Sequence, residues 1–241
     1  MTLKNYYTTE SMDLHIDNVY ENPEECLNWG LQQFGDKMAI VTSFQREGMV
    51  LIDMAANLDQ SFRVITIDTG RLHEETYSFI QKVQDKYGIE IEIFFPDTLE
   101  VQKMVSSYGV NLFYNNPDSR IRCCETRKVN PLNRILSQLN AWATGLRRDQ
   151  AFSRQNTEMV EIDHAHGHIY KINPLSYWTH EQVLDYISRH NVPEHPLYTK
   201  GYKSIGCAPC TRPVSDEESH RAGRWWWEGA GRKECGMHCR I

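Results

Sequence analysis

Met38-Ala39-Ile40-Val41-Thr42, then Ser43-Phe44-Gln45-Arg46-Glu47-Gly48, then Met49-Val50-Leu51-Ile52-Asp53-Met54-Ala55-Ala56-Asn57-Leu58 carry the fold class of this 241-residue chain. The first five residues are a short apolar run with β-branched members, which predicts a buried strand. The last ten are apolar nearly all round, which predicts a buried helix. The six between them form a polar turn. The same alternation extends on either side. Asn22-Pro23-Glu24-Glu25 reads as a helix start, with an N-cap, proline at the first helical position and acids near the positive end, and Gly35 as its stop. Arg63 to Ile67 predicts a second strand, His73 to Tyr87 an amphipathic helix, Ile89 to Phe95 a third strand and Leu99 to Tyr108 a helix. Ala141 to Thr144 predicts a further buried strand entering a basic loop, and Thr179 caps a helix that runs to His190. Strands alternating with helices at this spacing predict an α/β fold on a parallel sheet flanked by helices. Beyond Pro193 the chain is rich in Gly, Pro, Arg and Trp, with little periodicity. There is no internal repeat. The expected organisation is one domain over residues 1–215 and an arginine- and tryptophan-rich segment with a terminal tail over 216–241.

Hydrophobic residues make up 40% of the chain and charged residues 24%, as in ordinary soluble globular proteins. The formal net charge of −6 argues against a nucleic-acid or anionic-membrane binder, both of which need a basic surface. A local cationic pocket for a small anion remains compatible with it. The start of the sequence has no apolar signal region, and no run is long enough to span a bilayer. Seven cysteines without a secretion signal point to reduced thiols, metal ligands or catalysis, and to a cytoplasmic protein. The oligomeric state is not fixed by these features, and a homo-oligomer is compatible with them.

Two cysteine pairs lie far apart, Cys123-Cys124 and Cys207-Ala208-Pro209-Cys210. A Cys-x-x-Cys turn lets two sulfurs face one metal centre, and a second pair completes a four-thiolate site. Adjacent cysteines on a helix point about 100° apart. That suits separated irons of a cluster better than one tetrahedral zinc, although spacing alone leaves iron–sulfur, zinc and two unrelated pairs of buried thiols all open. Cations concentrate at strand ends and beside these cysteines. The Ser43 to Gly48 turn offers backbone N–H groups and a helix start to an anion, without the Gly-Lys-Ser/Thr ending of a Walker loop. Ile67-Asp68-Thr69-Gly70-Arg71 ends the second strand, where ligands of open α/β sheets bind. Gly145-Leu146-Arg147-Arg148-Asp149-Gln150 with Arg154 forms a cationic loop; Arg122, Arg127 and Lys128 flank the first cysteine pair, and Arg212, Arg221 and Arg224 follow the second. Near the end, Arg232-Lys233-Glu234-Cys235-Gly236-Met237-His238 places a cysteine after two cations, and nearby cations stabilise the nucleophilic thiolate. A terminal cysteine is better placed to visit a site and leave it than to pack in a core.

Taken in order, these motifs resemble the assimilatory sulfonucleotide reductases, specifically the iron–sulfur adenosine 5′-phosphosulfate (APS) reductases, from about Met38 to His238. The carriers are Ile67-Asp68-Thr69-Gly70-Arg71-Leu72, Cys123-Cys124 with Arg127-Lys128 and Pro131-Leu132, Thr144 to Gln150, Gly206-Cys207 with Cys210-Thr211-Arg212-Pro213, Gly223-Arg224-Trp225-Trp226, and Lys233-Glu234-Cys235-Gly236 with His238. The resemblance implies a Rossmann-like, adenine nucleotide α-hydrolase-type fold and a 4Fe-4S cluster on Cys123, Cys124, Cys207 and Cys210. It implies Cys235 as the nucleophile that takes the sulfonate of APS and releases AMP, with a thioredoxin thiolate then freeing sulfite. It further implies that Lys128, Arg221 and Arg224 lie on the phosphosulfate, aided by Arg154 and the Ser43 loop. His238 contacts the sulfate in this picture, Gly145 belongs to the substrate loop, and the Asp68, Thr69, Gly70, Arg71 turn borders the adenosine. The cluster carries no electrons in that family; its charge tunes the pocket through Lys128.

The Ser43 to Gly48 turn departs from the Ser-Gly-x-x-Asp form of many relatives, and Cys239 stands outside the family motif. A reductase for 3′-phosphoadenosine 5′-phosphosulfate, or a dual-specific one, is the nearest rival, but those enzymes generally lack the four cysteines. An ATP-dependent RNA-thiolating enzyme would need a Ser-Gly-Gly-x-Asp-Ser loop that this chain does not have. A metal-stabilised nucleic-acid binder would leave Cys235 and His238 unexplained. Three features read as structural: His164, His166 and His168 as an exposed polar hairpin beside Gly167, Cys26 as core, and Trp225-Trp226-Trp227 as packing near the site.

Overall fold

Every residue of β1 (Met38–Val41) is buried, as a central strand of a parallel sheet requires. The computed structural model describes residues 22–58, 60–229 and 236–237. From β1 the chain runs through α2 (Arg46–Ala56), β2 (Val64–Ile67), α3 (Glu74–Tyr87), β3 (Ile91–Phe94) and α4 (Thr98–Tyr108), after an opening α1 (Pro23–Phe34). A longer crossover holds α5 (Pro117–Cys124), a π-helical stretch (Glu125–Val129) and α6 (Asn130–Leu136), and leads to β4 (Ala141–Ala143). Then come the hairpin β5 (Val160–Asp163) and β6 (Ile169–Ile172), and α7 (His180–His190). The six strands lie in the order β3-β2-β1-β4-β6-β5. All neighbours pair in parallel except β5 with β6, which are antiparallel. The expected parallel sheet is therefore present, with one antiparallel edge strand added.

Side chains alternate across the sheet as the two-residue strand period demands. Met38, Ile40, Val64, Ala141 and Ala143 join the apolar cluster that includes residues of α1, α2, α3 and α7. Ala39, Val41, Ile65, Ile67 and Trp142 face the other way, onto Leu132, Ile135 and Leu136 of α6. Cys26 is fully buried in the first cluster, and burial pushes its thiol up to about 12, as befits an inert core cysteine.

Local chemistry sets the boundaries. Asn22 Oδ1 accepts the Glu24 N–H at 2.9 Å, and Gly35 ends α1 with a positive φ. Thr179 and Gln182 form a reciprocal capping box at the start of α7. α2 begins three residues earlier than its apolar run suggested, because Gln45 is already extended and Arg46 already helical. The π-helical turn has a cause in the sequence. Pro131 offers no N–H and its ring crowds the carbonyl four residues back, that of Arg127, so the helix widens just before it.

The histidine hairpin is the turn between β5 and β6. His164 and His168 are exposed, with their rings 4.9 Å apart. His166 corrects the reading of an all-exposed turn: its Nδ1 lies 2.8 Å from Asp163 Oδ2, and its ring meets the buried Trp142 edge-on. Among the described residues no helix is long and apolar enough to cross a membrane.

The strand order reverses between β1 and β4, so their carboxyl ends open a crevice. Gly145, just after β4, sits hard against the first turn of α2. A Cβ there would lie 2.6 Å from Glu47 Cβ and 3.1 Å from the Gly48 nitrogen. Under the same crevice, Tyr198 accepts the Arg46 N–H at 3.2 Å, and the turn that carries Tyr198 starts at the buried His195.

His195 Nδ1 accepts the Leu197 N–H at 3.2 Å, and its Nε2 faces Thr76 Oγ1 at 3.0 Å, so the neutral ring bonds on both sides. Burial, helped by His73, pushes its pKa from 6.5 down to about 4. The unfolded chain therefore binds a proton that the folded chain refuses. This contribution is complete above pH 6.5 and is lost as pH falls toward 4, on the order of 3 kcal/mol in full. Replacing His195 by Gln should flatten the pH dependence of urea-unfolding stability between pH 6.5 and 4.5. An unchanged slope would remove His195 from that role.

Candidate active site

The crevice is a cleft walled by three strand ends. From β1 and the start of α2 come Thr42, Ser43, Gln45 and Gly48; from the end of β2 come Ile67 and Thr69; from beyond β4 come Gly145, Gln150 and Arg154. The far wall is Ser204, Ile205, Gly206 and Cys207, with His220, Arg221 and Arg224. Lys128, carried by the π-helical turn, completes it. Four basic side chains thus face one cleft of an acidic protein. Met237 also lines the cleft and packs on the cluster containing Val41 and Ile67.

Of the residues expected at the substrate, Ser43, Thr69, Lys128, Gly145, Arg154, Arg221 and Arg224 meet here. Asp68, Gly70 and Arg71 do not. Asp68 Oδ1 accepts from the Gly70 N–H at 2.7 Å and the Tyr77 hydroxyl at 3.0 Å, so this carboxylate holds its own turn. Gly70 supplies the left-handed backbone at φ 67°. Arg71 turns to the other side, donating to Val110 O at 3.1 Å and Asn111 Oδ1 at 2.9 Å. Arg147 and Arg148, in the loop read as cationic, are also structural. Arg147 pairs with Glu47 at 3.1 Å, and Arg148 donates to Thr157 O at 2.7 Å and to Glu158 at 2.8 Å. Cys235, His238 and Cys239 lie outside the described residues. Gln45, Gln150, His220 and Met237 line the cleft although no motif singled them out individually as site residues.

Behind the cleft lies a second, smaller cavity. Cys123, Cys124, Cys207 and Cys210 all line it, each 6–9% exposed and none in a disulfide. Its remaining walls are cationic or aromatic: Arg71, Arg120, Arg127 and Lys128, with Phe113 and Trp225. Lys128 and Cys207 belong to both cavities. Burial would push the Cys207 thiol up, but Lys128, the Thr69 hydroxyl 3.3 Å away and Arg224 outweigh it and hold the pKa down. Cys210 is pushed up to about 12 by burial and by Cys207, and Cys123 is raised chiefly by burial. Among the described residues no group of three His, Cys, Asp or Glu side chains is arranged to hold a single metal ion.

Trp225 lines the second cavity. It is 1% exposed, holds a left-handed φ of 44°, and has Arg120 at 4.5 Å and Arg224 at 4.8 Å from its ring centroid. Arg120 is bonded to Glu228 at 2.8 Å, a buried ion pair. Trp227 packs against the same cluster, and Trp226 is 40% exposed.

A family model described as the phosphoadenosine phosphosulfate reductase domain matches residues 37–213, most of the chain. This chain belongs to the phosphoadenosine phosphosulfate reductase family. An adenosine 5′-phosphosulfate reductase of Pseudomonas aeruginosa is 44% identical to this reductase over 223 residues, covering 90% of this chain and 82% of the relative. A chloroplastic 5′-adenylylsulfate reductase of Arabidopsis thaliana is 41% identical over 237 residues, and there the match spans 95% of this chain but 50% of the relative. The crystal structure of the phosphoadenylyl-sulfate reductase of Candida auris, a phosphate complex, superposes with a TM-score of 0.67 at 31% identity, covering 80% of this chain and 90% of the other. The reductase therefore has the adenine nucleotide α-hydrolase-like fold.

Gly206 is the point where the cleft wall closes on Arg224. A Cβ at this position would lie 2.6 Å from both Cζ and Nη2 of Arg224. Gly206→Ala must therefore displace the guanidinium. We expect AMP to bind the reductase roughly tenfold more weakly in this variant, the cost of a lost charge-assisted hydrogen bond, as read by calorimetric titration. Unchanged binding would show that Arg224 does not touch the nucleotide.

Proposed function

We propose that this reductase converts APS to sulfite and AMP in assimilatory sulfate reduction in the cytoplasm, with Cys235 as nucleophile and a thioredoxin as reductant. The observation that carries the reading is the shared wall: a cationic cleft at the switch point of the sheet, backed through Lys128 and Cys207 by a four-cysteine cavity. The relatives named as APS reductases supply the substrate.

In the proposed reaction the Cys235 thiolate attacks the sulfur of APS. A sulfur–sulfur bond forms, the bond between that sulfur and the bridging phosphate oxygen breaks, and AMP leaves with the electron pair. Lys128, Arg154, Arg221 and Arg224 neutralise the anionic ester and the charge gathering on the departing phosphate. A thioredoxin thiolate then attacks Cys235 Sγ and expels sulfite, and its second thiol resolves the mixed disulfide. Met237, joined to Cys235 through Gly236 alone, lines the cleft, which supports a tail that reaches the substrate. In this account residues 1–215 form the nucleotide-binding domain, and the segment 216–241 adds Arg221 and Arg224 to the cleft and, with His238 beside the sulfate, delivers the nucleophile.

The residues of the second cavity fit a 4Fe-4S cluster. Four buried thiols surround one space rather than one point, cations line it, and the buried Trp225 Nε1 has no hydrogen-bond partner among the described residues. Cys123, Cys124, Cys207 and Cys210 would hold the cluster, which when bound supplies a fixed charge beside Lys128. Reduction of the 3′-phosphorylated nucleotide is the second reading, favoured by the Candida auris neighbour; the ratio of kcat/KM for the two nucleotides separates them, and we expect APS to win.

Without thioredoxin, wild type should release about one AMP per chain and carry a sulfonate on the Cys235 peptide. Cys235→Ser should bind APS and release none. A sulfonate mapped by mass spectrometry to another cysteine would overturn the assignment. Anaerobically purified, iron-replete protein should hold about four irons and four sulfides per chain. Serine at any one of the four cysteines should lower both and lower the melting temperature, because metal binding is part of folding free energy. Stoichiometric zinc without sulfide would refute the cluster.

A further inference from the structure

Gln45 occupies the turn that departs from the small-residue form of related reductases, and its amide is held at both ends. The Ile205 backbone N–H lies 2.8 Å from Gln45 Oε1. A backbone N–H can only donate, so the atom facing it is the carbonyl oxygen and the amide cannot be flipped. Gln45 Nε2 therefore faces Ser43, and donates to Ser43 Oγ at 3.1 Å. Upstream, the buried Ser204 donates through Oγ to Gln45 Oε1 at 3.4 Å, and Arg224 Nη1 donates to Ser204 Oγ at 3.4 Å and to Ile205 O at 3.2 Å.

All these links run one way. Arg224 has only donors, Ser204 donates its hydroxyl hydrogen bond to Gln45 Oε1, and the Gln45 NH₂ in turn donates to Ser43. A serine hydroxyl has one proton, and with a donor already on its oxygen that proton is directed elsewhere. Ser43 lines the cleft. Successive donors polarise one another, and a cation at the head strengthens the chain.

We propose that Gln45 is a positioning residue that fixes the Ser43 hydroxyl as a hydrogen-bond donor to the acid oxygens of the bound nucleotide's 5′-phosphate. The relay favours a ligand atom that accepts, as an anionic phosphate oxygen does. It also ties the β1 turn to the loop bearing Cys207, so that Arg224 and Ser43 address the ligand from opposite walls in a fixed register. The inference rests on the nucleotide lying in this cleft, and it deepens that reading.

Glutamate at position 45 tests the direction. Its carboxylate would accept from Ile205 and also from Ser43, turning the hydroxyl proton away from the ligand. The assay is calorimetric titration with AMP and steady-state turnover of APS by the cluster-loaded enzyme, with melting curves for each variant. Gln45→Ala should raise the AMP Kd and the APS KM by about threefold to tenfold, with kcat little changed, and Gln45→Glu by about a hundredfold. A structural role alone would make the near-isosteric Glu the milder change. In a Ser43→Ala background the penalty of Gln45→Glu should shrink to that of Gln45→Ala, because no hydroxyl remains to be turned. A penalty that persists undiminished there, or a Gln45→Glu variant no worse than Gln45→Ala, overturns the proposal. Gln45→Met serves if Gln45→Glu does not fold: it must weaken AMP binding with Ser43 present and leave it unchanged with Ser43→Ala. If Ser43→Ala alone leaves AMP binding and turnover intact, the Ser43 hydroxyl does not meet the phosphate and the proposal falls, while the APS turnover of that variant leaves the proposed activity standing.

Discussion

Cations and thiols are buried against one another along a single wall, and each makes the other tolerable. A buried charge without a partner costs several kcal/mol, and a buried thiolate is no easier. Here Lys128 and Arg224 hold the Cys207 thiol down, Arg120 is closed by Glu228, and Arg127 donates to Thr69 O at 2.7 Å. Much of the surrounding structure is what that pairing demands. The widened turn before Pro131 brings Arg127 and Lys128 to the wall one after the other. Gly206 lets the Arg224 guanidinium lie flat against the backbone. Trp225 accepts an unfavourable backbone conformation to present its ring to two guanidinium groups.

The fold was readable where a single local force dominated. Apolar runs placed β1, β2 and β4, and capping residues placed α1 and α7 almost to the residue. The start of α2 was missed because Arg46 and Glu47 are polar, and helical periodicity sees only the apolar face. The π-helical stretch has no periodic signature at all; Pro131 was its one trace. The β5 and β6 strands were missed for a different reason. Val160-Glu161-Ile162-Asp163 alternates, but the histidines after it drew the reading toward the turn, and His166 is buried only because Trp142 and Asp163 arrive from elsewhere.

The site was legible as a set of residues and less so as a geometry. Cysteine spacing and strand-end position brought together the thiols and most of the cleft. The Asp68 to Arg71 run shows where that logic stops. It does end a strand at the ligand face, yet Asp68 is consumed by its own turn, and a one-residue step along the backbone sends Arg71 to the cysteine side. Gln45 illustrates the converse: nothing in its neighbours announces a role, because its partners, Ser204 and Ile205, are about 160 residues away and meet it only through the tertiary fold.

The pairing of β1 with β4 joins Met38 to Ala141, roughly one hundred residues further along the chain, and so belongs among the contacts that close late in folding. The cleft depends on that closure, because Gly145, Gln150 and Arg154 reach it from beyond β4. Until β4 docks, Gly145 in the turn after it cannot meet the first turn of α2. The first cysteine pair leaves the ribosome well before the second, and the two share one cavity only once distant parts of the chain have packed. Assembly of the wall therefore reports on completion of the sheet, and a nascent or misfolded chain presents exposed thiols without a finished site.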